Sequence, residues 1–284
     1  MLNFTLANGR FRLIRELGYG ATASVHLAHD NKTNQNCAIK ILSPSYLLSP
    51  EALPRMRREF VVLSQLQDPH IIQIHEIFED PPFFTMDYID GLALDQWNAY
   101  KGDMPECLVI SLAKTLSKSL SKAHKQGVIH RDIKPSNILI SPEDRPVIVD
   151  FGMMRVENGA LITATGMAIG TMGYIAPEQL ENAKEADQRS DIYSLGITLM
   201  CLATSSPPIS STHLLEKSSE KLSPALQRIL MRATLNNPTV RTQSMDDLYE
   251  QLEKLPIETP CAATLHIPIT IVENILNQKT LSLR

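Results

Sequence analysis

The stretch His130-Arg131-Asp132-Ile133-Lys134-Pro135-Ser136-Asn137, followed by Asp150-Phe151-Gly152, decides how this sequence is interpreted. It places a carboxylate, an ammonium, an amide and a second carboxylate close together in the chain. Phosphoryl transfer uses these groups to accept a hydroxyl proton, to neutralise the moving phosphoryl group and to hold magnesium. The alternative interpretation is a chance polar loop between two apolar segments, and the further motifs described below count against it.

At these residues the chain resembles the protein kinases, and Lys134, two residues after Asp132, resembles their Ser/Thr branch. The resemblance implies an α+β, bilobal fold, with a small antiparallel β-sheet lobe containing one main helix and a larger, mostly helical lobe. ATP is expected in the cleft between such lobes. We expect the first lobe at residues 1–89, the second at 90–256, and a tail with a possible short helix at 257–284.

The resemblance gives the loop residues their expected roles. Asp132 is expected to orient the acceptor hydroxyl as the base, and Lys134 to contact the γ-phosphate. Asn137 and Asp150 are expected to supply oxygen ligands to Mg²⁺. Each of these residues alone would be a common loop residue, whereas the combination at this spacing is specific.

The segment Gly18-Tyr19-Gly20-Ala21-Thr22-Ala23-Ser24-Val25 resembles the kinase glycine-rich loop, with Ala23 in place of the third glycine. Glycine lets backbone N–H groups approach phosphate oxygens. A similar pattern also occurs in dinucleotide-binding folds, where a helix follows the glycines at once. Here the residues after Val25 alternate as a strand does, which favours a hairpin over the phosphates.

Lys40, in Cys-Ala-Ile-Lys, resembles the lysine that bridges the α- and β-phosphates, although a strand lysine facing solvent is the ordinary alternative. Its expected partner is Glu59, on the amphipathic helix predicted over residues 51–67; Glu76 and Glu79 are less favoured. By resemblance, Met86 limits the depth of the adenine pocket. The nucleotide-contacting residues that the resemblance implies are Gly18, Gly20, Ala23, Val25, Ala38, Lys40, Met86, Asp87, Ile89 and Leu139.

By resemblance, Arg131, before the expected catalytic aspartate, implies a kinase whose activity depends on a phosphorylated activation segment, because the fork of the guanidinium pairs with phosphate. We therefore predict autophosphorylation at Thr163 and Thr165, with ordinary polar loop residues as the alternative. Thr171, in Gly-Thr-x-x-Tyr, is expected to hydrogen-bond the catalytic Asp and Lys and to favour Ser/Thr acceptors.

Three further charged residues are expected to stabilise the fold and not to take part in the reaction. By resemblance, Glu178 of Ala-Pro-Glu should pair with Arg241, and Asp191 should anchor the backbone of the catalytic loop from a buried helix. The segment 207–222 is shorter than is usual for the family, which puts substrate docking there in doubt.

Charge, cysteine usage and hydropathy bear on the partners and the location of the protein. The 284 residues carry a net charge of −4, which gives no reason to expect a nucleic-acid partner. The four cysteines show no CxxC or metal pattern, so reduced thiols in a cytoplasmic protein are expected. No signal-peptide pattern and no apolar run of membrane-spanning length are visible.

The sequence thus predicts a Ser/Thr protein kinase that uses ATP and Mg²⁺ and acts on protein hydroxyls. Two alternatives stay open: a pseudokinase that acts as a nucleotide-binding switch or scaffold, and a small-molecule phosphotransferase of similar fold. The tail at 257–284 could pack on the helical lobe, or could dock another protein.

Overall fold

The computed structural model describes residues 4–151, 172–182, 186–255, 263–268 and 272. The chain divides into two compact units, one built on residues up to Tyr88 with Phe151, and the other from Ile89 onward.

Over its described residues, 4–88 and 151, the first unit is an antiparallel sheet with two helices. The six strands of this part lie in the order β1-β2-β3-β4-β6-β5. Its core contains the aromatic rings of Phe11, Phe78 and Phe83, which pack edge-on or stacked. The elements of this unit are β1 (Thr5–Leu6), β2 (Phe11–Tyr19), β3 (Ala23–Asp30), β4 (Gln35–Leu42), α1 (Pro44–Leu47), α2 (Ala52–Ser64), β5 (Ile74–Glu79) and β6 (Pro82–Asp87).

The sequence predicted the character of α2 correctly. Ala52, Met56, Glu59 and Leu63 recur at three- and four-residue steps and are buried, so one stripe of the helix packs inward. The helix ends at Ser64, three residues before the predicted boundary at 67. Glu59 therefore sits on the apolar stripe, which requires a partner for its carboxylate.

In the part that the structure describes, the second unit is mostly helical, with one small three-stranded sheet in the order β7-β8-β9. The long helix α4 buries an apolar stripe, and α6 is buried along almost its whole length. The elements of this unit are β7 (Leu92–Ala93), α3 (Leu94–Lys101), α4 (Glu106–Lys125), a 3-10 helix (Pro135–Asn137), β8 (Ile138–Ile140), β9 (Pro146–Ile148), α5 (Pro177–Glu181), α6 (Gln188–Thr204), α7 (Ser211–Ser218), α8 (Pro224–Ala233) and α9 (Met245–Glu253).

Of the three cysteines that the structure describes, one departs from expectation. Cys37 and Cys201 are free thiols, as predicted, and burial raises the pKa of Cys201 to about 12. Cys107, however, is disulfide-bonded, so the prediction of reduced cysteines is wrong for this residue. Sequence spacing gave no signal of it, because disulfide pairing depends on which side chains the fold brings together.

Among the helices that the structure describes, none is long and apolar enough to cross a bilayer.

Candidate active site

In the second unit Asp132 contacts two other predicted catalytic residues, Lys134 and Asn137. Lys134 Nζ lies 3.1 Å from Asp132 Oδ2. Asn137 Nδ2 donates to that same oxygen at 2.9 Å and to the main-chain oxygen of Asp132 at 2.9 Å. A cation and an amide are therefore gathered around one carboxylate, and their positions are fixed by a single short loop.

The two predicted magnesium ligands lie at the two ends of one hairpin. Asn137 immediately precedes β8, and Asp150 follows β9. The Val149 N–H donates to the Asn137 carbonyl oxygen at 2.9 Å, so the two ends of the hairpin lie side by side. This pairing sets Asn137 and Asp150 close together by a purely local chain reversal.

The donor atoms at this place suit Mg²⁺. Since Asn137 directs Nδ2 at Asp132, its Oδ1 is the amide atom that can face a cation. Amide and carboxylate oxygens are hard ligands, and Mg²⁺ is usually held by one or two protein groups together with substrate phosphates. Across the described residues no cluster of three or more His, Cys, Asp or Glu side chains forms a metal cage.

Two residues of the catalytic segment have left-handed backbone conformations. Arg131 has φ +65° and Asp150 has φ +62°, and neither is glycine. Such conformations cost about 1–3 kcal/mol each and persist only where surrounding contacts impose them. Arg131 is held on both sides: its N–H donates to Asp191, and its carbonyl oxygen accepts from Gln179 Nε2 at 2.9 Å.

Asp191 anchors the start of the loop from inside α6. Its carboxylate accepts the N–H groups of His130 at 2.8 Å and Arg131 at 2.7 Å. His124 Nε2 lies 2.8 Å from the same carboxylate. Burial raises the pKa of Asp191, but the hydrogen bond and charge of His124 and the His130 N–H outweigh this and lower it overall. Asp191 is therefore a buried carboxylate held in its ionised form.

His130 is held as a neutral ring. Its Nε2 lies 3.0 Å from the Val149 carbonyl oxygen, which can only accept, so Nε2 carries the proton. The other nitrogen, Nδ1, accepts the Asp132 N–H at 3.1 Å. Burial lowers the pKa of His130. This ring therefore connects the backbone of Asp132 to the segment that leads to Asp150.

Sequence reasoning missed two residues that support the loop. Gln179 follows Glu178 and donates to the Arg131 carbonyl, and His124 at the end of α4 donates to Asp191. His124 lies 67 residues before Asp191, so no local pattern links the two. The buried side of α4 also carries Ser117, Ser119 and Ser121, so a polar residue there did not single out His124 in the sequence.

Glu178 and Arg241 form a bidentate ion pair. Arg241 Nη1 lies 2.6 Å from Glu178 Oε1, and Nη2 lies 2.9 Å from Oε2. The other guanidinium hydrogens are donated to the carbonyl oxygens of Leu235, Arg189 and Asn236. All five donors of this buried arginine are thus satisfied, which is the condition for burying the charge.

In the first unit the glycine-rich segment forms the hairpin that the sequence predicted. Gly18 pairs with Val25, and the Gly20 N–H donates to the Ala23 carbonyl oxygen at 2.9 Å. A methyl group added at Gly18 would meet nothing within 4 Å, and one added at Gly20 would make only ordinary contact. The fold therefore does not require glycine here, and room is left beside the backbone.

Lys40 and Glu59 form a buried ion pair in this unit. Lys40 Nζ lies 3.4 Å from Glu59 Oε1, and the two residues are 6% and 1% exposed. Neither Glu76 nor Glu79 takes this place: Glu76 bonds Arg10, and Glu79 bonds Arg57.

The strand register groups the predicted nucleotide contacts. Lys40 lies opposite Val25, and Ala38, two residues earlier on β4, lies opposite Met86. Because side chains alternate along a strand, Ala38 and Lys40 share one face of the sheet. The Asp87 N–H is bonded to the Gln73 carbonyl oxygen. Ile89 and Leu139 belong to the second unit.

The predicted activation-segment residues Thr163, Thr165 and Thr171 lie outside the described residues.

A model of the protein kinase domain matches residues 11–261. The chain belongs to the protein kinase family. Serine/threonine-protein kinase PknD of Mycobacterium tuberculosis is 32% identical over 257 residues, which cover 84% of this chain and 39% of that protein. PknB of the same species is 31% identical over 281 residues, which cover 90% of this chain and 45% of that protein. The kinase chain thus spans less than half the length of these curated relatives.

Solved structures agree with this family. The kinase domain of Mycobacterium tuberculosis PknI is similar with a TM-score of 0.70 and 26% identity, over 88% of this chain and 99% of that domain. The predicted α+β kinase fold, with an antiparallel sheet unit and a mostly helical unit, is confirmed.

Proposed function

We propose that this chain is an active Ser/Thr protein kinase, which transfers the γ-phosphoryl group of ATP to hydroxyl groups of proteins. The observation that carries the proposal is the contact set of Asp132 with Lys134 and Asn137. A pseudokinase has no need to hold a lysine and an amide around an intact catalytic carboxylate.

Each residue has a definite task in this proposal. Asp132 orients the acceptor hydroxyl and takes its proton late in the reaction. Lys134 and Lys40 place positive charge near the transferred and the remaining phosphates, and Glu59 holds Lys40 in place. Asn137 and Asp150 would hold Mg²⁺, which when bound neutralises phosphate charge.

The nucleotide contacts are part of the same proposal. Gly18, Gly20 and Ala23 would approach the phosphates with backbone N–H groups. The residues that would enclose the adenine are Val25, Ala38, Met86, Asp87, Ile89 and Leu139. Room beside the glycines supports this role, since the fold itself does not demand glycine at either position.

Activation and location complete the proposal. Autophosphorylation at Thr163 and Thr165 would supply a phosphate for the Arg131 guanidinium, whose fork matches phosphate oxygens. Thr171 would contact Asp132 and Lys134. A cytoplasmic site of action follows from the need for ATP.

Labelled ATP with magnesium and purified protein tests the function. Label on the chain itself or on a generic protein acceptor, lost in Asp132→Asn, is the expected result. A matched control is Asp103→Asn, which removes a carboxylate paired with Lys221 outside the loop and should leave transfer unchanged. Nucleotide binding without any transfer would indicate a pseudokinase, and transfer only to metabolites would indicate a small-molecule phosphotransferase.

A phosphosite map tests activation separately. Phosphate at Thr163 and Thr165 in the active protein, and its absence in Asp132→Asn, is expected. Full activity of Thr163→Ala/Thr165→Ala after phosphatase treatment would contradict the activation step while leaving the kinase assignment intact.

A further inference from the structure

Residues 263–268 pack on the rest of the second unit with an alternating burial pattern. The side chains alternate: Leu265 and Ile267 are buried, whereas Thr264 and His266 are exposed. This is the pattern of a strand-like peptide with one face seated in a groove. The segment follows α9, the last helix whose bounds the structure describes, and packs on the second unit through its own contacts.

Trp97 on α3 forms one wall of the groove. Its Nε1 donates to the Leu265 carbonyl oxygen at 2.8 Å, and the residue is only 2% exposed. A buried indole N–H needs a partner, and a main-chain oxygen supplies one without regard to side-chain identity. The contact joins residues 168 positions apart.

The turn between β8 and β9 forms the other wall. Thr264 Oγ1 donates to Asp144 Oδ2, and His266 Nδ1 lies 3.6 Å from Asp144 Oδ1. Asp144 itself has φ +61°, in a turn closed by the Asp144 N–H to the Ser141 carbonyl oxygen. The peptide is thus held at two separate elements, by its backbone on one and by its side chains on the other.

We propose that Trp97 and the 141–145 turn form a docking groove for an extended apolar-x-apolar peptide, and that residues 264–267 of the same chain are its occupant. Docked in this way, the segment is a clip that joins α3 to the β8–β9 turn. Helix α3 packs against the 3-10 helix that ends at Asn137, and the turn is connected to Asn137 through the three residues of β8. The clip therefore braces the segment that carries a proposed magnesium ligand.

Trp97 is the only tryptophan of the chain, so its fluorescence reports directly on the clip. In the wild-type protein we expect emission at short wavelength and weak quenching by iodide. In Leu265→Ser/Ile267→Ser we expect a shift to longer wavelength and stronger quenching, with unchanged far-UV circular dichroism. The control Leu48→Ser removes an exposed leucine of the first unit and should match the wild type.

A peptide in trans makes the test specific. The six-residue peptide of positions 263–268, added to the double variant, should restore weak quenching. The same peptide with serine at both apolar positions should not. If the double variant fails to fold, Thr264→Val provides the second measurement, with a smaller rise in quenching expected.

Three outcomes would overturn the proposal. Strong iodide quenching of Trp97 in the wild type would show that nothing covers the indole. Equal quenching in variant and wild type would show that the segment is not the cover. If dilution of the wild-type protein makes Trp97 more accessible to iodide, the covering segment comes from a second copy of the chain and not from the same chain.

The effect on catalysis rests on the proposed kinase function, whereas the docking does not. Loss of the clip should lower kcat more than it changes the KM for ATP, and the peptide should restore kcat. Because the fluorescence test uses no substrate, its result stands even if the protein transfers no phosphate.

Discussion

The side-chain amide of Asn137 donates to both the carbonyl oxygen and the carboxylate of Asp132, at 2.9 Å in each case. One residue therefore shapes the base and, through its opposite oxygen, faces the place expected for the metal. The two roles use different atoms of the same amide, Nδ2 toward Asp132 and Oδ1 toward the metal. A substitution that keeps one of these atoms and changes the other can therefore separate the two roles.

Replacement of Asn137 by aspartate should strongly reduce phosphoryl transfer. The change keeps an oxygen for Mg²⁺ but turns the donor toward Asp132 into an acceptor, so two carboxylates would repel each other. We expect kcat to fall roughly 10²-fold, the usual loss when one fixed donor is removed from an active site. Steady-state kinetics at several magnesium concentrations would measure it. Rescue of the full rate by excess magnesium would mean that only the metal role matters.

Alanine at Gly18 or Gly20 should weaken ATP binding without affecting the fold. Neither position requires glycine sterically, so the free energy of unfolding should change by about 0.5 kcal/mol or less. The KM for ATP should rise, because a methyl group would stand where phosphates approach. Kinetics together with urea unfolding of the same variants separates the two effects.

Gly91 gives the matched contrast. A methyl group there would lie 1.9 Å from the Ile140 carbonyl oxygen, so Gly91→Ala must displace backbone. We expect a loss of about 1–3 kcal/mol in stability. A Gly18→Ala variant that loses as much stability as Gly91→Ala would refute the functional explanation of the glycine-rich loop.

Removal of Lys40 should destabilise the protein by leaving a buried charge behind. Glu59 is 1% exposed, and Lys40→Met would leave its carboxylate without that ammonium. We expect a loss of about 3–5 kcal/mol, most of it recovered in Lys40→Met/Glu59→Gln, because the double variant removes both charges. Urea unfolding of the two single variants and the double variant measures this cycle.

The exposed pair of Arg57 and Glu79 is the control for that cycle. Its atoms are 2.6 Å apart, closer than those of the buried pair, yet both side chains are about half exposed. Arg57→Met should change stability little, since solvent screens such pairs. If Arg57→Met and Lys40→Met lower the free energy of unfolding equally, burial does not determine how much the loss of an ion pair destabilises the protein.

Stability should fall as the pH drops below about 6.5. Burial lowers the pKa of His130 and of His26 beneath the usual 6.5, so the unfolded chain binds protons there that the folded chain does not. By linkage the stabilisation is complete above the unfolded pKa and is lost as the pH falls toward the folded pKa. For His130 the slope is at most about 1.4 kcal/mol per pH unit.

Urea unfolding between pH 8 and pH 5 would measure this slope. His130→Phe should be less stable at pH 8, because two hydrogen bonds are lost, but should show a shallower decline with acid. His26→Ala should remove only the part of the pH dependence that His26 contributes. The lowered pKa of Asp30, about 2, places its contribution well outside this range. In the double variant His26→Ala/His130→Phe the decline of stability with acid should be clearly shallower. If this decline is as steep as in the wild type, the two histidines are not its cause.

The sequence alone determined what depends on near neighbours in the chain. The six residues from Asp132 to Asn137 close on themselves, and β2 and β3 pair across one tight turn, so motif and periodicity were enough to predict them. The resemblance to kinases then supplied the pairing of Glu178 with Arg241, which no periodicity contains.

Only the tertiary structure decided three of the contacts between distant residues. His124 meets Asp191 over 67 positions, Gln179 meets Arg131 over 48, and Trp97 meets Leu265 over 168. Local propensity is silent on such pairs, because each depends on how whole helices pack and on which buried polar groups then need partners. The same reason explains why the proposed catalytic residues could be named from the sequence, and Asp191 from the resemblance, whereas His124 and Gln179, which help to hold the loop in place, could not.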